Sequence, residues 1–213
     1  ARDVCSKAFS HPPLAMTFLL DAWTVPEKLT WSQLGEPLGV DVVLHSVSNA
    51  WNRKLLHAIK ENDAEKVRVF LMKGQDPNTK YPNGFTPLSY SAWAGAVDAL
   101  SMLVEGGGSL NLFGLDGKLP LHHAVGTNNF TAVRTLLHQK AEPNLKDSEG
   151  NTPVLIAAMQ DGARSVQILE ALAEAGAELD MADCSGYTPF GCCSNPQVLV
   201  YLMDSVWPRL SWQ

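Results

Sequence analysis

Apolar residues recur with a helical period in the central part of the chain, most clearly between residues 84 and 116. A short apolar segment begins at Leu88, and Gly95 interrupts it. A second segment runs from Val97 to Val104 with its large apolar residues at i, i+3 and i+4 spacing, and three glycines follow it. This pattern predicts two short amphipathic helices joined by a tight connection.

The turn that precedes this pair of helices recurs along the chain. Successive turns are 33, 33 and 36 residues apart, and they begin at Gly84, Gly117, Gly150 and Gly186. In the first of them, Thr86 is a suitable helix N-cap, and Pro87 follows at a position whose N–H needs no partner. A unit that starts near Trp51 keeps the helical spacing without the turn. A period of this length predicts stacked repeats, which offer an extended surface rather than an active-site cleft.

These motifs resemble the ankyrin repeat family over residues 51–204. The family's turn asparagine is present in three units and replaced by aspartate in the last, at Asn78, Asn111, Asn144 and Asp180. The resemblance implies an all-α solenoid of about five helix-turn-helix repeats with β-hairpin-like turns. The family's histidine is retained only as His122, and the resemblance implies that it hydrogen-bonds within the turn.

Two repeats depart from the family pattern. Three additional residues lie around Asp161–Ser165, between the two helices of the unit at 150–185. In the last unit the first helix is shortened near Cys192-Cys193, and the second, from Gln197 to Asp204, is predicted to close the stack.

Both ends of the chain lie outside the repeats. Residues 1–50 form a non-repeat extension, in which a capping box at Thr24–Glu27 predicts a helix that ends at Leu34. This extension is too apolar for a disordered tail, so we expect it to cover the first repeat, to dock on another subunit, or to do both. The Trp-rich tail, residues 205–213, leaves the same two alternatives.

Composition narrows the range of partners and compartments. The 213 residues are 46% hydrophobic and carry a formal net charge of −6, which disfavours nucleic acid as a partner. The apolar run Leu14–Leu20 is too short to span a membrane. Four cysteines are too few for a disulfide framework and indicate an intracellular, reducing compartment, with the organelle open. No presequence is recognisable, although the chain begins at Ala1 and one removed earlier stays compatible with the sequence.

The sequence contains none of the common catalytic or cofactor-binding motifs, which predicts a protein that is not an enzyme and binds no cofactor. The run Gly106–Gly108 follows a helix, whereas a phosphate-binding loop must precede one. The spacing of Cys184, Cys192 and Cys193 matches no common zinc site, and we expect buried structural thiols there.

The resemblance implies that partners dock on the concave face, which consists of the turn tips and the first helix of each repeat. Carried over position by position, it places Ile156, Met159 and Gln160 on this face. The predicted partner-binding residues form a mainly aromatic stripe on the same face, and they are Tyr81, Phe85, Tyr90, Trp93, Phe113, Leu115, His123 and Tyr187. Aromatic anchors contribute much of the affinity at many interfaces, although Phe85 and Trp93 would also fit a purely structural role.

The sequence therefore predicts a non-catalytic protein–protein interaction module. In one version it is a structural or accessory subunit or scaffold, held in a large assembly by its concave face and apolar termini. In the alternative it is a soluble adaptor or inhibitor that holds a peptide or domain of a regulatory partner.

Overall fold

The computed structural model describes residues 52–162 and 164–210, the last four of these as main chain only. The predictions for residues 1–50 and for the end of the tail lie outside this part. The described residues form helices and turns without a strand, and the helices follow one another in five antiparallel pairs. They are α1 (52–60), α2 (Ala64–Met72), α3 (Pro87–Ala94), α4 (Val97–Glu105), α5 (Pro120–Gly126), α6 (Phe130–His138), α7 (Pro153–Ala158), α8 (Ser165–Glu174), α9 (Pro189–Cys192) and α10 (Pro196–Leu210).

The predicted caps define where the first helices begin. The Thr86 hydroxyl accepts a hydrogen bond from the Ser89 N–H (3.1 Å), and the Ser89 hydroxyl accepts one from the Thr86 N–H (2.7 Å). This reciprocal capping box satisfies two N–H groups that the helix itself leaves unpaired. Thr152 and Thr188 cap α7 and α9 in the same way, each through its own side-chain hydroxyl. The N-terminal boundaries of these helices therefore follow directly from the Thr-Pro dipeptides.

The core runs through the stack as a continuous band of aliphatic side chains. The first helices contribute small residues such as Ala92, Ala124 and Ala158, which allow each repeat to approach its neighbour closely. The second helices contribute pairs of fully buried residues, which are Leu100 and Leu103, Val133 and Leu136, Leu169 and Leu172. Helix α3 packs on α5, and α5 packs on α7. Each repeat is therefore stabilised mainly by its neighbours.

Asparagine side chains connect consecutive repeats. Asn78 donates to the Gly107 carbonyl (3.1 Å) and accepts from the Ser109 N–H (2.8 Å). Asn144 makes the equivalent pair of bonds one repeat later, with Gly176 and Glu178. These asparagines therefore hold the loop at the end of a second helix in the next repeat, α4 for Asn78 and α8 for Asn144.

Asn62 supplies a helix cap to the following repeat. The residue before α4, Ala96, has no side chain that caps the helix. The side-chain Oδ1 of Asn62 instead accepts from the N–H groups of Asp98 (3.0 Å) and Ala99 (3.1 Å). Two N–H groups in the first turn of α4 are thus satisfied from the neighbouring repeat.

The turns stack on one another through main-chain contacts. Each turn closes on itself, as in the bond from the Asp147 N–H to the Asn151 carbonyl (2.9 Å). Successive turns are joined by the bond from the Leu115 N–H to the Gly84 carbonyl (2.6 Å) and by the bond from Ser148 to Gly117 (3.0 Å). The tips of the turns and the first helices therefore form one continuous face.

The two predicted departures from the repeat pattern are present. A longer loop joins α7 to α8, and the Gln160 side chain fixes its start by donating to the Gly126 carbonyl (2.7 Å). Helix α9 is only four residues long. The closing helix α10, predicted to end at Asp204, continues to Leu210.

Candidate protein-interaction surface

Three of the predicted aromatic residues form one cluster on the second repeat. Phe85 lies at the turn, and Tyr90 and Trp93 lie on α3. The Phe85 ring centroid is 5.8 Å from that of Tyr90 and 6.0 Å from that of Trp93. Tyr90 and Trp93 are stacked at 5.8 Å. These mutual contacts hold the rings in place, and Trp93 still exposes 48% of its surface.

His123 joins this cluster from the third repeat, and it is buried rather than exposed as predicted. The Phe85 ring lies 4.6 Å from the imidazole, between centroids, and covers it. The imidazole Nε2 lies 2.9 Å from Asp116 Oδ2, an ion-pair distance without the alignment of a good hydrogen bond. Burial lowers the pKa of His123, against the opposing effect of the Asp116 carboxylate. His123 is therefore part of the wall beneath the surface.

A cleft of about 330 Å³ lies on this face between the second and fourth repeats. Trp93 forms one side, and Ile156 and Met159 of the fourth repeat form the apolar part of the other. Met159 exposes 53% of its surface. Lys118 and Glu149 place one charge of each sign at the cleft. Polar side chains, among them Thr127, Asn151 and Gln160, make up most of the remaining lining. The apolar surface of Trp93, Ile156 and Met159 suits a large apolar side chain of an extended segment, and the polar groups suit its main chain.

His122 fixes the floor of the cleft. Its Nε2 donates to the Asn151 carbonyl (3.0 Å), so the turn to which His122 bonds is that of the following repeat. The side chain is 1% exposed, and burial lowers the pKa of His122. A neutral imidazole with its proton on Nε2 satisfies this bond.

The other predicted contact residues lie at the turn tips, outside the lining of the cleft. Leu115 and Tyr187 expose 62% and 61% of their surfaces, and Phe113 exposes 39%. Each is free to contact a ligand that continues along the face. The predicted stripe is therefore divided into a cleft at its centre and separate apolar tips.

The exposure predicted for Tyr81 is wrong, because this side chain is 2% exposed. Tyr81 occupies the first position of its turn, where its N–H donates to the Phe85 carbonyl (2.8 Å). Asp147 occupies the same position two repeats later and is also buried, whereas Asp183 at this position of the last repeat is half-buried. Tyr81 therefore supports the turn.

The cysteines of the last repeat also differ from expectation. Cys184, expected to be buried, is exposed at the tip of its turn, and Cys192 and Cys193 are half-buried. All three are free thiols. Within residues 52–162 and 164–206, no three His, Cys, Asp or Glu side chains form a group that would hold a metal ion.

Comparison with known proteins gives matches among ankyrin repeat proteins. Residues 55–147 match the family model for ankyrin repeats in three copies. The chain is 36% identical over 121 residues to the human SH3 and multiple ankyrin repeat domains protein 2, an alignment that covers 56% of this chain and 6% of that protein.

Two further relatives are named as a ubiquitin ligase and as a cation channel homolog. The chain is 25% identical over 177 residues to the E3 ubiquitin-protein ligase KEG of Arabidopsis thaliana, covering 78% of this chain and 11% of that protein. It is 33% identical over 121 residues to the transient receptor potential cation channel subfamily A member 1 homolog of Caenorhabditis elegans, covering 56% and 10%. The chain thus spans only 6% to 11% of the length of these three relatives.

Proposed function

Because residues 55–147 are ankyrin repeats, a type of module that binds proteins and is generally non-catalytic, we propose that this chain binds a protein partner in its concave cleft. The observation that carries the proposal is the pairing of Trp93 with Ile156 and Met159 across the cleft. Half-exposed large apolar residues held by their neighbours lose little conformational freedom on binding, which favours affinity. An extended segment with one large apolar side chain fits this geometry.

We further propose that the chain acts as an accessory or structural subunit or a scaffold in a larger assembly. The separate apolar tips at Leu115 and Tyr187 support contacts beyond a single peptide. In the alternative, an adaptor or inhibitor, the cleft alone holds one regulatory partner. The intracellular, reducing compartment belongs to this proposal and is compatible with the free, exposed Cys184. No helix among the described residues is long and apolar enough to cross a membrane.

The test is affinity purification of the full chain from native extract, followed by size-exclusion chromatography and mass spectrometry. We expect one or more stoichiometric partners that Trp93→Ala and Met159→Ala each remove. Met72→Ala is the matched control, because Met72 is exposed by 77% on α2, outside the lining of the cleft. A large complex supports the subunit, and a small species with one partner supports the adaptor. Partners that both cleft variants retain would contradict binding at the cleft.

A further inference from the structure

A series of ring contacts joins a buried histidine to the exposed wall of the cleft. His123 lines the cleft but is only 8% exposed, because the Phe85 ring covers it with centroids 4.6 Å apart. Phe85 in turn lies 6.0 Å from Trp93, between centroids. Side chains packed this closely pass a displacement on to their neighbours. A movement of His123 is therefore transmitted to Trp93, the apolar wall on which the proposed binding depends.

The surroundings of the His123 imidazole suit its neutral form. Its Nε2 is buried and has no aligned hydrogen-bond partner among the described residues, although Asp116 Oδ2 lies 2.9 Å away. A neutral imidazole can keep its proton on the other nitrogen, whereas an imidazolium carries an N–H on both. A buried, charged N–H without a partner is costly. The Asp116 carboxylate is an acceptor within reach, and a well-aligned bond to it requires the ring to turn.

Groups of both signs surround His123. Burial is the largest cause that lowers its pKa below the ordinary value of 6.5, Lys118 acts in the same direction, and Asp116 opposes them. Both of these charged residues belong to the turn before α5. The other charged or titratable side chains on the elements around His123 are His122 of α5, Tyr90 of α3, Asp147 and Glu149 of the turn before α7, and the exposed Arg134 and His138 of α6.

We infer that protonation of His123 is a switch on the cleft: the imidazolium turns toward Asp116, Phe85 and Trp93 leave their positions, and the protein partner is released. A bound segment in contact with Trp93 holds Phe85 over His123, so it favours the neutral imidazole. By linkage, the affinity is highest above the pKa of His123 in the free chain and decreases as the pH falls through it. The release of a partner rests on the proposed function, whereas the movement of Trp93 does not.

The movement is tested on the full chain alone, labelled with fluorotryptophan. The fluorine NMR resonance of Trp93, identified by its loss in Trp93→Phe, should shift along one titration curve below neutrality. This shift should be absent in His123→Gln. It should be unaltered in His138→Gln, the matched change at an exposed histidine of α6. Circular dichroism at each pH confines the comparison to folded protein. A Trp93 resonance that does not shift, or that shifts equally in His123→Gln, would overturn the inference.

Asp116→Asn is a second variant, in which the histidine stays in place. Because the Asp116 carboxylate raises the pKa of His123, its removal should move the titration of the Trp93 resonance to lower pH. This prediction holds even if His123→Gln fails to fold. A midpoint that stays the same in Asp116→Asn would show that the imidazolium does not turn toward this carboxylate, and the inference would be wrong.

Release is tested with histidine-free linear peptides, selected on phage against the immobilised full chain and kept only if Met159→Ala removes their binding. By fluorescence anisotropy, their affinity should fall about tenfold between about pH 7.5 and about pH 5, and equally in His138→Gln. In His123→Gln the fall should be at most about twofold. An undiminished fall in that variant would contradict the inference and leave the proposed function intact. A selection without any peptide that depends on Met159 would contradict the proposed function, and the fluorine measurement would then decide the switch alone.

Discussion

His122 and His123 make the stability of the repeats depend on pH. Burial is the main cause that lowers the pKa of both below the ordinary value of 6.5, with Lys118 acting in the same direction and Asp116 and Asp147 opposing. The unfolded chain therefore binds more protons than the folded chain once the pH falls below about 6.5. The free energy of unfolding should be highest above that pH and should decrease on acidification.

The decrease should approach about 1.4 kcal/mol per pH unit for each histidine, until the pH reaches the pKa of the folded state. Urea unfolding of the full chain at several pH values below neutrality measures this slope. His123→Gln should reduce the slope while the protein stays folded at neutral pH. An unchanged slope in this variant would show that His123 does not contribute.

At the same scale, the predicted contact residues show which side-chain exposures a position-by-position comparison with the family pattern can predict and which it cannot. The exposure of Trp93 and Leu115 could be predicted, because the family pattern leaves their positions facing outward. The burial of Tyr81 could not be predicted, because the aspartates that align with it, Asp147 and Asp183, are of a residue type that is mostly exposed. The burial of His123 depends on Phe85 of the preceding repeat and on the position of Asp116, and that three-dimensional contact has no signature in the sequence.

At the scale of the elements, the turn of the third repeat has a glycine where two main chains approach. A Cβ at Gly114 would contact the Gly84 carbonyl oxygen, although Gly114 is outside the left-handed region. Gly107 is the converse case, since its φ is +89° and a Cβ there would have open space. Substitution of Gly114 therefore tests the close approach of two main chains, and substitution of Gly107 tests the left-handed backbone conformation alone.

Gly114→Ala should cost about 2 to 3 kcal/mol because the carbonyl must move. Gly107→Ala should cost about 1 to 2 kcal/mol through backbone strain alone. Amide hydrogen exchange distinguishes the two effects: the Leu115 N–H, which donates to Gly84, should exchange faster only in Gly114→Ala. Equal exchange rates in both variants would contradict the role of this contact between turns.

The order and approximate bounds of the helices from α2 to α9 could be predicted, because Thr-Pro caps and terminal glycines act locally. The extension of α10 to Leu210 could not, since the family pattern ends at the closing helix. The cap that Asn62 gives to α4 was also missed. The sequence did contain a sign of this cap, because the alanine at position 96 cannot cap α4. The N–H groups in the first turn of α4 therefore need an acceptor from another part of the chain.

At the scale of the whole molecule, a stack of repeats has a weaker end. Leu136 of α6 and Leu202 of α10 are both fully buried, but α6 has neighbours on both sides. Truncation of either leucine to alanine should lower the free energy of unfolding of its own repeat by about 2 to 5 kcal/mol. In Leu136→Ala we expect this loss to destabilise the whole stack, whereas in Leu202→Ala we expect it to release the last repeat alone.

Hydrogen exchange followed by mass spectrometry tests this difference on peptides from α6 and α10. Leu202→Ala should increase exchange in α10 and leave α6 protected. Leu136→Ala should increase exchange in both. If Leu202→Ala increased exchange in α6 to the same degree, the stack would unfold as one unit and the expectation would be wrong.

The connections between repeats also determine how the chain folds during synthesis. The inter-repeat bonds of Asn62, Asn78, Asn144, His122 and the stacked turns join residues 29 to 37 positions apart. Contacts this near in sequence give a low contact order, so each closure costs little entropy and forms quickly. A nascent repeat can therefore dock on its predecessor as soon as it leaves the ribosome.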